Sequence, residues 1–187
     1  NGEFLPDWHP YEDYRDSYAS IKKLGGGSLL TQIHDLDYAT LLLGKPSELY
    51  AVGGKNSSLE VNVEDSVQIL MNVKKRKKSI PVSISLNYVE KPPKRIFEII
   101  GDQGKIFCDL NANIIEYYSH MNKNKKSIFS FSSLKRNDMF LDEMKAFLDF
   151  ASGNKSAGIS LKDSAMSLKI VFSSKKSMIS GKSQIIN

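Results

Sequence analysis

The sequence has one cysteine, no long apolar run and no glycine-rich nucleotide loop, and each shortage argues against a class of protein. Cys108 alone cannot form an internal disulfide, which suits a reducing compartment, so we expect a cytoplasmic protein. No apolar stretch approaches the ~18 residues of a membrane span and no signal-peptide pattern opens the chain, so we expect no membrane partner. No Gly-x-Gly-x-x-Gly follows a predicted strand, so we expect no cofactor-binding residues for a dinucleotide in this chain.

The patterns of metal sites and serine nucleophiles are missing as well. No group of histidine, cysteine and carboxylate residues has the spacing of a metal site, so we predict no metal ligands. No Gly-x-Ser-x-Gly elbow occurs. We interpret Cys108 as a small apolar strand residue rather than a nucleophile.

What the chain does have is the composition of a folded globular protein with a basic charge. With 187 residues, 41% of them hydrophobic, we expect one domain over 1–187. The net charge of +5 raises the question of nucleic acid, but the lysines gather at predicted turns, at 74–78 and at Lys123, Lys125 and Lys126. No aromatic residue interrupts these runs, so we interpret them as solvated hairpin ends and expect no nucleic-acid partner. The alternative is a stand-alone basic module that binds RNA or an anionic glycan.

The rest of the chain is organised around Gly25 to Gly44, GGGSLLTQIHDLDYATLLLG. Three glycines predict a tight turn, and Ser28 stands where the N-cap of a helix ending at Gly44 belongs. The apolar residues of this helix share one broad face: Leu29, Leu30, Ile33, Leu36, Leu41 and Leu43. Asp37 falls inside that apolar arc and His34 lies at its margin. A carboxylate in that position needs a partner or a polar pocket.

Aromatic and charged residues dominate the segment before this helix, in LPDWHPYEDYRDSY. Pro6 and Pro10 bracket Trp8 and His9 and favour an extended backbone there. Rings that stack and an arginine that binds anions suit a sugar surface, for which Trp8, His9 and Arg15 are the candidates. The same residues suit a packing edge, and the pattern does not separate the two interpretations.

Short strands joined by tight turns follow Gly44, and two helices end the chain. The predicted strands are Glu48–Gly53, Ser66–Val73, Pro81–Val89, Arg95–Ile100, Lys105–Leu110, Ile114–Tyr118 and Ser127–Phe131. The helices are Asp138–Ser152, with apolar residues at core spacing, and a second that is capped at Ser160 and runs to about Met178, with Gly181 marking its end. We therefore predict an α+β fold with a predominantly antiparallel six- to seven-stranded sheet and helices on one face.

This order of elements resembles the C-terminal domain of the Gfo/Idh/MocA oxidoreductases, the relatives of glucose-fructose oxidoreductase and inositol dehydrogenase. Gly26-Gly27 through His34-Asp35-Leu36-Asp37 matches the family's pattern of paired glycines, two apolar residues, a histidine and an aspartate three residues later. Further matches lie in the strand pair from Arg95, in the helix around Phe140–Phe150 and in Ser160–Asp163. The resemblance spans nearly the whole chain.

The resemblance implies a two-domain enzyme that acts on a sugar, a sugar derivative or a polyol. Its N-terminal Rossmann domain binds NAD or NADP, and its C-terminal domain supplies a substrate wall, a histidine and an oligomer-forming sheet. The chain starts at Asn1 without a methionine, so we expect a fragment that lacks the Rossmann domain and is inactive alone. We also expect a homo-oligomer, a dimer through the open sheet face.

The same resemblance assigns the site residues. His34 falls on the family's catalytic histidine, and Thr31 joins Trp8, His9 and Arg15 as a substrate-binding candidate. Many members carry an aspartate three or four residues before the histidine, where this chain has Thr31 and Leu30. That departure puts an Asp–His relay in doubt and leaves open a domain kept only as a scaffold.

One further match is misleading. Glu90-Lys91-Pro92 spells the family's catalytic tripeptide, which belongs to the Rossmann domain. Here it follows a predicted strand, so we interpret Lys91 as a turn residue. His120, beside a lysine cluster, is interpreted as a solvated turn residue.

Overall fold

A computed structural model describes residues 1–75, 78–121, 126–131, 133, 135–154 and 160–186. The strands are β1 (Gly2–Phe4), β2 (Pro46–Gly54), β3 (Ser66–Lys75), β4 (Lys78–Asn87), β5 (Val89–Lys94), β6 (Ile96–Gly101), β7 (Gly104–Asp109), β8 (Ile114–Ser119), β9 (Lys126–Ser130) and β10 (Gln184–Ile185). The helices are α1 (Ser28–Thr31), α2 (His34–Leu43), α3 (Arg136–Ala151) and α4 (Leu161–Ser180). None of the helices within these ranges combines the length and apolar composition needed to cross a bilayer.

The chain divides into two compact units, and the first comprises residues 1–94 and 160–187. Its sheet has six strands in the order β10-β2-β3-β4-β1-β5. Every pairing is antiparallel except that of β1 with β4. The predicted α+β class with a mainly antiparallel sheet is confirmed. The sequence did not predict β1, β5 and β10. The strands β1 and β10 have only three and two residues, too few for a period of two to show, and β5 is made of charged residues, two prolines and one valine, so it shows no apolar alternation.

Alternation along the central strands places one face of this sheet against helices. Val67, Ile69 and Met71 of β3 are at most 5% exposed, and they pack with Ile170 and Val171 of α4. Leu29 and Leu36 from α1 and α2 complete this core. Residues between the buried ones face away, and these include Tyr50, Val52 and Leu70. The predicted single helical layer over one sheet face is therefore confirmed for this unit.

A second core lies under the aromatic segment at the start of the chain. Its buried members are Leu5, Ala19, Leu59, Val61, Val63 and Tyr88. Asp65, which is fully buried, holds the loop that leads to it, because its carboxylate accepts hydrogen bonds from the backbone amides of Asn56 (2.8 Å) and Ser57 (3.0 Å). The hydroxyl of Ser57 donates to the same carboxylate at 2.6 Å. A buried carboxylate is tolerated because three donors surround it.

The predicted single helix from Ser28 to Gly44 is broken in two. Gln32, with φ −105° and ψ 27°, ends α1, and α2 begins at His34. Gly27 rather than Ser28 occupies the N-cap position, so the predicted serine cap is wrong. Leu29 and Leu36 are fully buried as predicted. Leu41 is 73% exposed, because it lies five residues beyond Leu36 and therefore about 140° around α2 from that buried side chain.

The predicted strands form two sheets rather than one. Pro92 and Pro93 lie in β5, the edge strand of the first sheet, and neither has an N–H with which to extend a ladder. The chain then enters β6 of the second sheet. Lys91 lies within β5 and its ammonium is 2.7 Å from the Asp7 carboxylate, so its interpretation as a turn residue is wrong.

The second unit, residues 95–159, contains a four-stranded antiparallel sheet in the order β6-β7-β8-β9. Gly101 and Gly104 close the β6–β7 turn as predicted, and Cys108 lies buried in β7. Burial raises the pKa of the Cys108 thiol, which agrees with its interpretation as an apolar strand residue. His120 is exposed, as expected.

The apolar residues of α3 are not buried. They are Met139, Phe140, Met144, Phe147 and Leu148, each between 54% and 62% exposed. Their core spacing correctly predicts the helix but not its burial. Ser160 caps α4 as predicted, since its hydroxyl accepts from the Asp163 amide at 3.2 Å, and Gly181 ends that helix.

Three residues of the lysine run at 74–78, namely Lys74, Lys75 and Lys78, lie in the β3–β4 hairpin. Lys75 pairs with Lys78 at its end, and both are exposed, which confirms the predicted solvated hairpin. Arg76 and Lys77 lie outside the described residues, as do Lys123 and Lys125.

Replacement of the buried carboxylate of Asp65 tests its role in the loop. Asp65→Ala leaves two amides and a hydroxyl without an acceptor, and we expect it to lower the free energy of unfolding by about 3 kcal/mol in urea titrations. Asp16→Ala, at an exposed position, is the matched control and should change it by less than about 0.5 kcal/mol. Equal effects for the two variants would contradict this assignment.

Candidate functional site

The glycine turn before α1 is packed too closely for any side chain. A Cβ on Gly26 would lie 2.4 Å from the carbonyl oxygen of Ala19. Gly27 has a φ of 109°, and a Cβ there would lie 2.3 Å from the carboxylate of Glu64. Glu64 is only 11% exposed and pairs with Lys175 at 3.3 Å, so it has little freedom to move aside. Glycine is therefore required at both positions.

Thr31, a predicted substrate residue, ends α1 with its hydroxyl engaged on two sides. The hydroxyl oxygen lies 3.0 Å from the carbonyl oxygen of Gly27 and 2.6 Å from the hydroxyl of Tyr88. Tyr88 is fully buried, and its hydroxyl also lies 3.3 Å from the carbonyl oxygen of Ala19. Burial raises the pKa of Tyr88 above its ordinary value, so the phenol stays neutral and remains a hydrogen-bond donor.

Trp8, the second candidate, packs on the same tyrosine. The rings of Trp8 and Tyr88 meet edge to face with centroids 5.5 Å apart and an interplanar angle of 84°. This geometry is favourable for aromatic pairs. The indole N–H of Trp8 is buried and has no acceptor among the residues that the structure describes.

His34, the candidate catalytic residue, begins α2 and is open to solvent. Its side chain is 72% exposed, and its Nδ1 lies 3.8 Å from a carboxylate oxygen of Asp37, one turn further along. That distance is too long for a hydrogen bond but short enough for an ion pair. Asp37 is 27% exposed, so the carboxylate that the helical wheel placed on the apolar side is partly solvated and has a partner.

The next residue, Asp35, points inward instead. It is 4% exposed, and its carboxylate accepts hydrogen bonds from the side-chain amide of Asn1, at 2.9 Å, and from the hydroxyl of Tyr38. The bond from Asn1 ties the first turn of α2 to the start of the chain, and the bond from Tyr38 lies within α2. The buried face of α2 is thereby fixed while His34 stays exposed.

His9 and Arg15 both have partners on the surface of the aromatic segment. The Nδ1 of His9 lies 2.6 Å from Glu12, and its ring stacks on Tyr11 at 5.5 Å. The guanidinium of Arg15 donates to Asp13 at 2.5 Å and to Glu60 at 3.2 Å.

These ion pairs change the titration of the groups involved. The side-chain hydrogen bonds from Arg15 hold the pKa of the Asp13 carboxyl down to about 2. The bond to Asp13 in turn raises the pKa of Arg15. Arg15 is therefore neutralised by carboxylates of this chain, which leaves it little capacity to bind an anion.

The structure brings Trp8 and Thr31 together through Tyr88, with His34 three residues beyond Thr31. It does not bring the guanidinium of Arg15 into that contact. Sequence reasoning missed Tyr88, although a signal was present. In the alternation from Val82, position 88 falls on the inward side, where a buried tyrosine needs a hydrogen-bond partner.

The described residues do not form a dinucleotide cradle. The glycine turn follows a 3-10 turn at Lys22–Leu24 rather than a strand, and α1 has only four residues. Within the described part of the chain, no three or more histidine, cysteine or carboxylate side chains are grouped as they would be around a metal ion.

Comparison with known proteins places these features in a family context. A family model described as the GFO/IDH/MocA C-terminal domain matches residues 1–107. Among curated proteins, the chain is 24% identical over 166 residues to a myo-inositol 2-dehydrogenase from Thermotoga maritima. That match covers 84% of this chain and 48% of the relative.

Solved structures share the fold across the whole chain. An NAD-binding oxidoreductase from Klebsiella pneumoniae matches 100% of this chain and 57% of its own, with a TM-score of 0.79 and 17% identity. An aldose-aldose oxidoreductase from Caulobacter crescentus, complexed with glycerol, matches 100% and 53%, with a TM-score of 0.79 and 15% identity. The chain thus spans about half the length of these relatives.

Alanine substitutions in the glycine turn test the close packing beneath it. We expect Gly27→Ala to lower the free energy of unfolding by about 3 kcal/mol or more, because it adds a clash to the cost of a positive φ. Gly25→Ala is the matched control, because Gly25 also has a positive φ, 85°, but nothing lies within 4 Å of its Cβ. It should cost only about 1 kcal/mol in the same chemical denaturation experiment. If both variants lose the same stability, the clash with Glu64 is not important.

Proposed function

Because the chain belongs to the Gfo/Idh/MocA family of oxidoreductases, we propose that it is the substrate-binding and dimerisation domain of an NAD(P)-dependent enzyme acting on a sugar, a sugar derivative or a polyol. The observation that carries the proposal is the placement of His34, which is 72% exposed at the start of α2. Thr31, which contacts Trp8 through Tyr88, lies three residues before His34 in the chain and supports the same site.

In this proposal His34 is the acid–base residue. When an alcohol is oxidised, the hydroxyl proton must pass to a base as the carbon loses hydride. An imidazole performs this task well because it accepts and releases protons near neutral pH. The exposure of His34 supports the role, since a substrate hydroxyl can reach its ring.

Asp37 is the carboxylate that we assign to His34. A carboxylate beside Nδ1 favours the tautomer with the proton on that nitrogen and leaves Nε2 free to accept a substrate proton. The aspartate that many family members carry before the histidine is replaced here by Leu30 and Thr31. In this chain the proposed source of electrostatic stabilisation is Asp37 instead, whose carboxylate lies 3.8 Å from Nδ1 of His34.

Trp8, His9 and Thr31 are proposed to form part of the substrate wall. An aromatic ring presents an apolar face to the C–H side of a sugar ring, while histidine and hydroxyl groups bind its oxygens. We assign Arg15 a supporting role at this surface, because its ion pairs with Asp13 and Glu60 hold the aromatic segment in place. That arrangement favours an uncharged polyol or sugar over an anionic one.

The nicotinamide cofactor, NAD or NADP, supplies the hydride acceptor when bound. The described residues do not fit a dinucleotide, so we assign its binding mainly to a Rossmann domain outside these 187 residues. On this proposal the 187-residue chain has no dehydrogenase activity alone. The location we propose for the parent enzyme is the cytoplasm.

The open face of the first sheet is the proposed dimer contact. Tyr50 and Leu70 lie opposite each other in register on β2 and β3 and are 38% and 60% exposed, with Val52 beside them at 48%. Their neighbours on this face include Gln68 and Ser85, which are joined by a hydrogen bond of 2.7 Å. An exposed surface of apolar side chains and hydrogen-bonded polar groups suits a contact between two identical sheets.

Substitution of His34 tests the catalytic part of the proposal. In the protein produced from the complete reading frame, we expect His34→Ala to lower kcat for NAD(P)-linked oxidation of myo-inositol or an aldose by about 100-fold or more. The exposed His120 provides the control, and His120→Ala should leave kcat unchanged. Full activity of His34→Ala on every substrate that the wild type oxidises would refute the assignment.

A charge on the open sheet face tests the dimer. We expect the 187-residue chain to have the mass of a dimer by light scattering, and Leu70→Glu to shift it to a monomer, because a buried unpaired carboxylate is costly. Leu41→Glu, at a position that is 73% exposed on α2, should leave the mass unchanged. A wild-type chain that is monomeric at ~100 µM, a concentration well above the Kd of a stable dimer, would rule out this contact.

A further inference from the structure

We propose that Tyr88 is a positioning residue, which holds the aromatic wall at Trp8 and the helix break before His34 in one fixed arrangement. The inference rests on the proposed function of His34 and extends it to a residue that touches neither substrate nor cofactor. Three properties of Tyr88 carry it: its hydroxyl bonds, its ring contact and its fixed backbone.

The hydroxyl of Tyr88 is tied to the break between α1 and α2. Thr31 and Tyr88 have one hydroxyl proton each, and they share the oxygens of Gly27 and Ala19 as acceptors. The shorter route runs from Tyr88 to Thr31, at 2.6 Å, and from Thr31 to Gly27, at 3.0 Å. In a chain of this kind, each bond polarises and strengthens the next. The last residue of α1 is thus held by a neutral, partly buried link to the buried Tyr88.

The ring of Tyr88 holds the other side of the site. Its edge-to-face contact with Trp8 lies inside the second core, where Leu5, Ala19 and Val61 surround the tyrosine. Movement of Tyr88 would therefore move the indole and release Thr31 together. No other aromatic pair among the described residues joins the segment before the glycine turn to the end of β4.

The backbone of Tyr88 is anchored on both sides. Its amide donates to the carbonyl oxygen of Asp65 at 2.9 Å, and its carbonyl accepts from the amide of Leu5 at 3.0 Å. The side chain is therefore held from a fixed point. The candidate catalytic helix and the candidate substrate wall are therefore both positioned relative to the same fixed backbone. A precise site requires such a fixed geometry.

The alternative is that Tyr88 contributes only to stability. The two roles are separated by measuring whether the effects of substitutions at Tyr88 and His34 add. In the protein produced from the complete reading frame, we expect Tyr88→Phe to lower kcat about tenfold while KM changes less than threefold. In a His34→Ala background, Tyr88→Phe should cause no further loss, because it acts through His34. Equal losses in both backgrounds, or none in either, would overturn the proposal.

Tyr117→Phe is the matched control, since the Tyr117 hydroxyl also lies 3.3 Å from a backbone carbonyl oxygen, that of Gln103, but in the second unit. We expect it to leave kcat unchanged. If His34→Ala has no effect in the wild type, the proposed function fails. If His34→Ala is impaired and Tyr88→Phe is not, only the positioning role fails.

A spectroscopic test needs no substrate. Trp8 is the only tryptophan of the 187 residues, so the tryptophan emission of the chain reports the surroundings of Trp8, which include Tyr88. We expect Tyr88→Phe to shift both the Trp8 emission and the His34 ring resonances, which are assigned by comparison with His34→Ala. Thr31→Val should shift the same His34 resonances, and Tyr117→Phe should shift neither signal. Unchanged His34 resonances in Tyr88→Phe would overturn the proposal.

Discussion

The close approach of the glycine turn to its neighbours is the constraint on which the candidate site depends. Gly26 lies against the carbonyl of Ala19 and Gly27 against the carboxylate of Glu64, with no room for a Cβ at either position. The turn is locked further by the Gly27 amide, which donates to the carbonyl of Ala19 at 3.0 Å. Because α1 starts directly afterwards, this packing fixes where Thr31 ends that helix.

The break after Thr31 then decides which side chains face water. Gln32 is 3% exposed, and its amide donates to the carbonyl of Asn87 at 3.1 Å, so the break is held against the sheet. From there Asp35 turns inward to its two donors and His34 turns outward. A helical wheel assumes an unbroken helix, so it cannot predict this division, although it correctly predicts the burial of Leu29 and Leu36.

Local signals predicted most of the fold, and tertiary contacts decided the rest. Alternation predicted β3 and β4, and capping chemistry predicted both ends of α4, because these depend on neighbours in the sequence. The strand β1 has three residues and exists only because β4 and β5 offer partners. In the site, residue types suggested Trp8 and His34. The ion pair of Arg15 with Asp13 is local, but no local pattern indicates its second ion pair, with Glu60, 45 residues away.

In the proposed site, Thr31 and Leu30 stand where the resemblance to the family leads us to expect an aspartate, and this difference has a physical consequence. A carboxylate at position 31 would need two or three donors in a region where the neighbours offer the carbonyls of Gly27 and Ala19. A threonine fits those acceptors, because its hydroxyl donates to one carbonyl while it accepts from Tyr88. The link is neutral, so it does not change its charge as His34 gains or loses a proton. In the proposed mechanism, charge compensation for His34 falls to Asp37, which lies on the same helix, is 27% exposed and so carries less of that burial cost.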